Sequence, residues 1–460
     1  MVVSGDGAAF RPKKRAEKRH PQKPSERPGL AARQCAARLL GAVIEKKTSL
    51  DGLTDNQHGH PHYLALDDRD RALVRAILGA ALRHRGTIDA LLAQLVDRPL
   101  PENAVALKAL LHIAAAQILY LDLPDHSAVD LAVTAANEDP RNRRYAGLVN
   151  AVLRRLSRGK DRLSTSAPNA PAWFAESLVR AYGAEKAAAI LAIQAVEPPL
   201  DLTVKSDPKA WAERLGGIVL PNGTVRLAKL DGALTELPGF AEGEWWVQDA
   251  AASLPARLFG DIAGKRVADL CAAPGGKTAQ LALAGADVTA VEISANRLAR
   301  LNANLGRLKL KAHTVGANLM QYQPEEKFDA VLLDAPCSST GTVRRHPDVP
   351  WTKSPEDIAR LAALQAEFLA RTVDLVKPGG IIVFSNCSLD PAEGEALARS
   401  ALANPALQAF PVSEDEISGL HGLITPEGFL RSTPQDFPHP DPRLSGMDGF
   451  FAARFRRISA

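Results

Sequence analysis

The sequence predicts a three-part chain: an all-α domain, a small α+β subdomain and an α/β domain with a mostly parallel sheet. Three observations carry this. At 460 residues the chain exceeds one hydrophobic core, since domains average about 150 residues. Residues 29–160 read as helix throughout, with apolar positions recurring at helical spacing. From residue 246, short apolar strands alternate with helical stretches, the pattern of βαβ units in a doubly wound sheet.

Composition sets the class. The chain is 46% hydrophobic and 23% charged, ordinary for a soluble globular protein. Four cysteines do not make a disulfide framework, so free thiols in a reducing compartment are expected. No apolar run approaches the ~18 residues of a membrane span. The N-terminus carries positive charge without an apolar core, unlike a secretory signal. A cytoplasmic protein is the expectation.

The net charge of +4 is uneven. Residues 11–28 hold eight Lys/Arg against Glu17 and Glu26, so the remainder is slightly acidic. Residues 1–28 are predicted to be a disordered basic tail suited to a polyanion. A merely solubilising tail is the alternative.

From Gly29 the helices begin. "LAARQCAARLLGAVIEK" places Leu30, Ala37, Leu40 and Ile44 near one face. A second amphipathic stretch has Asp67 or Asp68 as N-cap. "AVALKALLHIAAAQILYLDL" is apolar on most sides and is predicted to be central. From Arg141 to Lys160 the sequence has seven Lys/Arg and no acid: Arg141, Arg143, Arg144, Arg154, Arg155, Arg158 and Lys160. Such a surface suits phosphate contacts. A solvated helix face is the competing reading.

"LSTSAPNAPAW" is a linker. The α+β subdomain is predicted over 165–245, with "EPPLDLTVK" as strand. The last domain, 246–460, contains the strands "RVADL", "DVTAVEI", "AHTVGA", "DAVLLDA" and "GIIVFSN".

"KRVADLCAAPGGKTAQLALAG" runs strand, Gly-rich turn, helix. Gly275 and Gly276 allow a ligand close to the backbone, and a helix N-terminus follows. A Walker loop requires glycine where Cys271 stands, and the spacing is not GxGxxG either. Glu292 ends the next strand, where an acid can accept both hydroxyls of a ribose. Together they fit an adenosine-containing cofactor.

Asp334 and Cys337 follow one apolar strand and Cys387 follows another. In an open parallel sheet these ends share the ligand rim. Adding a thiolate to carbon-6 of a pyrimidine makes carbon-5 nucleophilic enough to accept a methyl group. That chemistry requires a covalent nucleophile, a base, and an acid near ring N3. The spacing does not say which thiol is which. Inert small hydrophobes and a redox couple are alternatives. A zinc pair lacks further ligands, since His346 alone does not complete a site, and no metal is expected.

"DLCAAPGGKT", "DAPCSSTGTVRRHPDVPW" and "FSNCSLDPAEGE" together resemble the Fmu/Sun family, the 5-methylcytosine ribosomal RNA methyltransferases. The helical domain, down to "LVNAVLRRL", is similar to the RNA-binding antitermination factor NusB. The resemblance implies an α/β Rossmann-like methyltransferase domain behind a NusB-like domain. It implies Cys387 as nucleophile, Cys337 as the thiol that assists product release, and Asp334 at the cytosine edge and the methionine end of the cofactor. Cys271, Ala272, Ala273, Pro274, Gly275, Gly276 and Lys277 would cradle S-adenosylmethionine, with Glu292 on its ribose and Asn318 on its adenine. The family usually has Thr where Asn386 stands and an acid where Asn318 stands. Asn318 can still accept a hydrogen bond but without charge, which points to weaker cofactor affinity.

Arg344, Arg345 and His346 follow Cys337 and are predicted to form a basic loop guiding the RNA backbone, with a structural turn as the alternative. Unassembled small-subunit ribosomal RNA is the partner the resemblance implies, bound by a monomer. Two rivals remain: a DNA cytosine methyltransferase, in which the Pro-Cys thiol attacks, and an RNA-binding antitermination or ribosome-assembly factor with a vestigial methyltransferase domain.

Overall fold

The computed structural model describes residues 27–230, 232–417 and 419–459. The predicted basic tail therefore lies outside the described residues, apart from Arg27 and Pro28.

The helical part is built from Leu30–Lys46, Asp68–Arg83, Arg85–Leu95, Val105–Tyr120, Asp125–Glu138 and Ala146–Gly159, with short helical turns between. Asp67 caps the second of these, its Oδ1 accepting from Asp70 N at 2.7 Å. Val105–Tyr120 is central: Leu107, Leu110, Leu111, Ile113, Ala114 and Ile118 are buried on several faces. Leu30–Lys46 buries Ala32, Cys35, Ala36, Leu39, Leu40 and Val43. Ala37 and Ile44 sit at the rim of that face, half-buried. Among the described residues no helix is long and apolar enough to cross a membrane.

Helices Ala172–Tyr182 and Ala184–Gln194 lead into a four-stranded antiparallel sheet. Its strands are β1 (Leu200–Val204), β2 (Ile218–Val219), β3 (Val225–Leu227) and β4 (Trp245–Val247), in the order β2-β3-β1-β4. Asp201 on β1 is directly opposite Arg226 on β3. They form a buried bidentate pair, with both nitrogen–oxygen distances 2.7 Å.

The large sheet contains β5 (Arg266–Leu270), β6 (Asp287–Glu292), β7 (His313–Gly316), β8 (Phe328–Asp334), β9 (Val376–Asn386), β10 (Leu407–Ala409), β11 (Leu430–Ser432) and β12 (Phe450–Arg457). The order is β10-β12-β9-β8-β5-β6-β7, with β11 also on β12. Strands β5 to β9 run parallel, and β12 is antiparallel to β9, β10 and β11. The direction of winding reverses between β5 and β8. Ligands of open α/β sheets bind at the carboxyl ends of strands at such a switch point. Apolar layers cover both faces: Val267, Val288, Leu332 and Val383 on one, Leu270, Val331, Leu333 and Phe384 on the other. Alternation of side chains along each strand puts them there.

Candidate active site

Two parallel strands bring the thiols together. Asp334 at the end of β8 is in register with Ser385 near the end of β9, and Ala335 N donates to Ser385 O at 2.9 Å. Two residues beyond Ala335 and Ser385 come the thiols. Cys337 Sγ lies 3.4 Å from Cys387 Sγ. Both are half-buried free cysteines on the rim.

Asp334 is held from two sides. Lys277 Nζ donates to Oδ2 at 2.8 Å and Ser385 Oγ donates to Oδ1 at 2.9 Å. Lys277 comes from the Gly-rich loop, so that loop, β8 and β9 meet at one carboxylate. Its ammonium also lies 4.7 Å from the centre of the Phe450 ring.

The thiols are not equivalent. The shared hydrogen bond lowers the pKa of Cys387 below the usual thiol value, aided by the Ser339 hydroxyl and the Lys277 charge, against the cost of burial. The same bond, together with burial, raises Cys337 well above it. One sulfur is thus favoured as thiolate while its neighbour stays protonated.

A buried polar network supports them. Glu393 is fully buried, and accepts from Ser338 N at 2.9 Å and from Gln365 Nε2 at 2.8 Å. Asn386 Nδ2 donates to Glu393 O at 2.7 Å and to Gln365 Oε1 at 3.0 Å, while its Oδ1 accepts from Ser388 N at 3.0 Å. Asn386 thus uses both ends of its amide to knit the Cys387 loop to the helix Pro355–Leu375. Gly341 N donates to Cys387 O at 2.9 Å, and a side chain at Gly341 would collide with the carbonyl of Gly449. Glu393, Gln365 and Ser338 escape sequence reasoning, although "PAEGE" places an acid six residues after Cys387. What makes Glu393 special is burial, which no local pattern shows.

The Gly-rich loop leaves β5 with Cys271 at φ 62° and Gly275 at φ 101°, a left-handed geometry that suits glycine at the second position. Gly275 begins the helix Gly276–Leu283. Ala272, Ala273 and Lys277 are buried beneath the loop, while Pro274 is exposed. Arg297 donates to Ala273 O at 2.6 Å and Asn304 to Pro274 O at 2.9 Å. Cys271 is pushed up to about 12 by burial and by nearby carboxylates, so it is an inert thiol. Asp269, one layer below, accepts from Thr278 Oγ1 at 2.6 Å and is pushed up to about 7 by burial.

Glu292 is only 2% exposed. Its Oε1 accepts from Ser294 N at 2.9 Å. Its Oε2 has no hydrogen-bond donor among the described residues, although the exposed Arg297 guanidinium lies 3.3 Å away. Asn318 is half-buried, and its Oδ1 accepts from Met320 N at 3.0 Å. Just beyond these two side chains, the apolar Ile293 and Met320 are 69% and 42% exposed. Sequence reasoning missed both; for Ile293, an apolar residue directly after a strand-end acid was the available signal.

The structure draws the basic loop after Cys337 into the protein. Arg344 is 1% exposed and donates to Ser445 O at 3.0 Å. Arg345 bridges Asp249 at 2.6 Å and Asp448 at 3.2 Å. His346 Nδ1 lies 3.0 Å from Asp51 Oδ2. Burial pulls His346 down, but the bond and charge of Asp51 outweigh it and lift it to about 9. All three cations face carboxylates or carbonyls of this chain rather than a free surface, because the loop is held between the helical domain, which supplies Asp51, and the segments that carry Asp249, Ser445 and Asp448. The structural-turn reading fits this packing better than an RNA guide. The segment continues the contact: Leu50 N donates to Asp348 Oδ2 at 2.9 Å, and Trp351 Nε1 donates to Leu82 O at 3.3 Å.

Arg141, Arg143, Arg144, Arg154 and Arg155 are all exposed. The fold supplies acids from distant segments: Asp97 reaches Arg155 at 3.3 Å and Asp125 reaches Lys160 at 3.0 Å, while Asp139, two residues before Arg141, reaches it at 2.8 Å. Among the described residues Arg143, Arg144, Arg154 and Arg158 have no carboxylate partner.

An open α/β sheet with a Gly-rich loop, a buried strand-end acid and two thiols at its switch point defines a protein of the methyltransferase class. The chain belongs to the 16S rRNA methyltransferase RsmB/F family. Residues 261–456 match that family's model, and residues 30–158 match the NusB family. It is 33% identical over 446 residues to ribosomal RNA small subunit methyltransferase B of Serratia proteamaculans, covering 93% of this chain and 98% of that one. The protein of the same name from Xanthomonas campestris is 38% identical over 402 residues, covering 84% and 90%. A solved methyltransferase homolog from Pyrococcus horikoshii superposes with TM-score 0.52 at 27% identity, covering 62% of this chain and 94% of that chain.

Proposed function

We propose that the chain methylates carbon-5 of a cytosine in small-subunit ribosomal RNA, using S-adenosylmethionine and a covalent bond between Cys387 and carbon-6. The contact between the two sulfurs, beside Asp334 at the switch point, is the observation that carries this reading.

The residues fit the cofactor. Glu292 has a buried carboxylate oxygen without a hydrogen-bond donor among the described residues, suited to ribose hydroxyls, and Ile293 and Met320 offer apolar surface to an adenine ring. Asn318 borders the same place, and the backbone of Cys271–Lys277 would cradle the remainder. When bound, S-adenosylmethionine supplies an electrophilic methyl group.

Cys387 attacks carbon-6 as thiolate. The sulfur–carbon bond forms, and the ring double-bond electrons move to carbon-5, which takes the methyl group. Asp334, fixed by Lys277 and Ser385, faces the cytosine edge near N3 and orients the ring. Release passes the carbon-5 proton to solvent water at the half-buried rim as Cys387 departs with its electron pair. Cys337, held protonated at 3.4 Å, donates a hydrogen bond to the leaving sulfur. The base must leave its stack to reach this rim, so unassembled, locally single-stranded RNA is the substrate form. The exposed cations between Arg141 and Lys160 would hold its phosphates.

The test uses denaturing gels. Cys337→Ala should trap a covalent RNA adduct and Cys387→Ala should not; the reverse pattern transfers the attack to Cys337, as in a DNA cytosine methyltransferase. Labelled cofactor with naked ribosomal RNA should give methyl incorporation. Absence of incorporation and of adduct would favour the assembly-factor alternative.

A further inference from the structure

Ser339 is a backbone outlier placed against both sulfurs. Its φ is 60°, in the left-handed region that residues with side chains rarely adopt. Glycine would meet this turn without strain. The loop around it is clamped. Thr342 donates to Ser339 O through both its amide, at 3.0 Å, and its hydroxyl, at 2.9 Å. Gly341 N holds Cys387 O at 2.9 Å, and Leu389 N donates to Thr340 Oγ1 at 2.9 Å. These bonds lock the turn and direct the Ser339 hydroxyl at the thiols. Its oxygen lies 3.6 Å from Cys387 Sγ and 4.0 Å from Cys337 Sγ. A non-glycine residue kept in a strained conformation beside reacting atoms points to function.

We propose that Ser339 is a positioning residue: its hydroxyl donates to the Cys387 sulfur, favours the thiolate and aims it at the rim. The inference rests on Cys387 being the nucleophile. While Cys387 is neutral, its S–H donates to Ser339 Oγ. On ionisation the hydroxyl rotates and donates to the sulfur instead, since a serine hydroxyl serves either way. With Cys337 on one side and Ser339 on another, the thiolate has two donors. Cys337 can then remain protonated through attack and be ready for release.

The test compares Ser339→Ala and Ser339→Gly in full-length Cys337→Ala protein. Iodoacetamide alkylation of Cys387 is followed by peptide mass spectrometry from about pH 6 to about pH 10, because only the thiolate reacts. Both variants should alkylate about three- to tenfold more slowly at neutral pH, with the midpoint moved upward. Ser339→Gly should also raise the melting temperature by releasing the left-handed strain. Identical alkylation profiles, with only the melting temperature changed, reduce Ser339 to a turn residue and overturn the proposal. A shift in Ser339→Ala that Ser339→Gly does not share reports backbone distortion and overturns it too. Adduct formation with RNA by the Cys337→Ala parent is scored separately; if that protein makes none, the nucleophile assignment itself falls, whatever the alkylation shows.

Discussion

Cys337 and Cys387, fifty residues apart, hold their sulfurs 3.4 Å from each other. At that separation no ring can lie between them. Carbon-5 and carbon-6 of a pyrimidine are bonded neighbours, and two touching sulfurs can address that one edge together. Parallel pairing of β8 with β9 brings the sulfurs together, by setting Asp334 level with Ser385.

The cofactor reading is checked at Glu292. Glu292→Gln keeps the shape and removes the charge from a nearly buried acceptor. Hydrogen bonds to a charged group contribute about 1.5–3 kcal/mol. Calorimetry should therefore show S-adenosylmethionine affinity about ten- to a hundredfold weaker. An unchanged affinity places the ribose elsewhere.

Buried Asp269 should tilt the dependence of stability on pH. Its folded pKa of about 7 lies above the unfolded value of about 4. Between these values the folded state holds a proton that the unfolded state has lost. Stability therefore falls as pH rises through this window, by up to about 1.4 kcal/mol per pH unit. Asp448, also lifted to about 7 by burial and by Asp249, adds a slope of the same sign. Asp269→Asn should flatten the decline in denaturant midpoint between roughly pH 5 and pH 7 without abolishing it. An identical slope in the variant means Asp269 is ionised in the fold.

Arg226 should be costly to remove. Neither it nor Asp201 is exposed to solvent, and Arg226 also donates to Leu444 O at 2.9 Å. Arg226→Ala leaves Asp201 as an uncompensated buried charge, which costs about 3–5 kcal/mol of stability. Chemical denaturation measures it; a change under about 1 kcal/mol would show that water reaches Asp201.

Trp351 should couple the helical domain to the loop after Cys337. Its indole bonds Leu82 O, and the Arg85 guanidinium stacks 4.6 Å from the ring centre. Trp351→Ala should speed amide exchange at Leu50, whose N–H is held by Asp348, and in residues 340–352. Faster exchange confined to position 351 would mean the two parts are held independently.

Arginines of the helical domain that lack carboxylate partners should act through salt. Alanine at Arg144, Arg154 and Arg158 together should weaken RNA binding across sequences. It should also reduce the salt slope by about 0.7 for each phosphate these side chains neutralise. A slope that does not move would direct the RNA to another face.

Much of the fold is legible locally. The strand written as "RVADL" is Arg266–Leu270, and Asp67 is the helix cap, because period and capping are short-range properties. The antiparallel strands β10, β11 and β12 have no comparable local signal, since their pairing around β9 depends on chain far away. The "RRHPDVPW" segment misleads for the same reason. Its charges advertise a polyanion until the fold brings Asp51, Asp249 and Asp448 against them.

By itself the sequence determined which parallel strands exist, where each ends, and that Gly275, Glu292, Asp334 and both thiols belong on one rim. Hydrophobic period and turn chemistry carry that much. Only the tertiary structure decided that the sulfurs touch, that the Ser339 hydroxyl lies nearer to Cys387 than to Cys337, and that Glu393 stands behind them. Those facts depend on strand order, burial and charges from distant segments, which act through space and leave no mark on neighbouring residues.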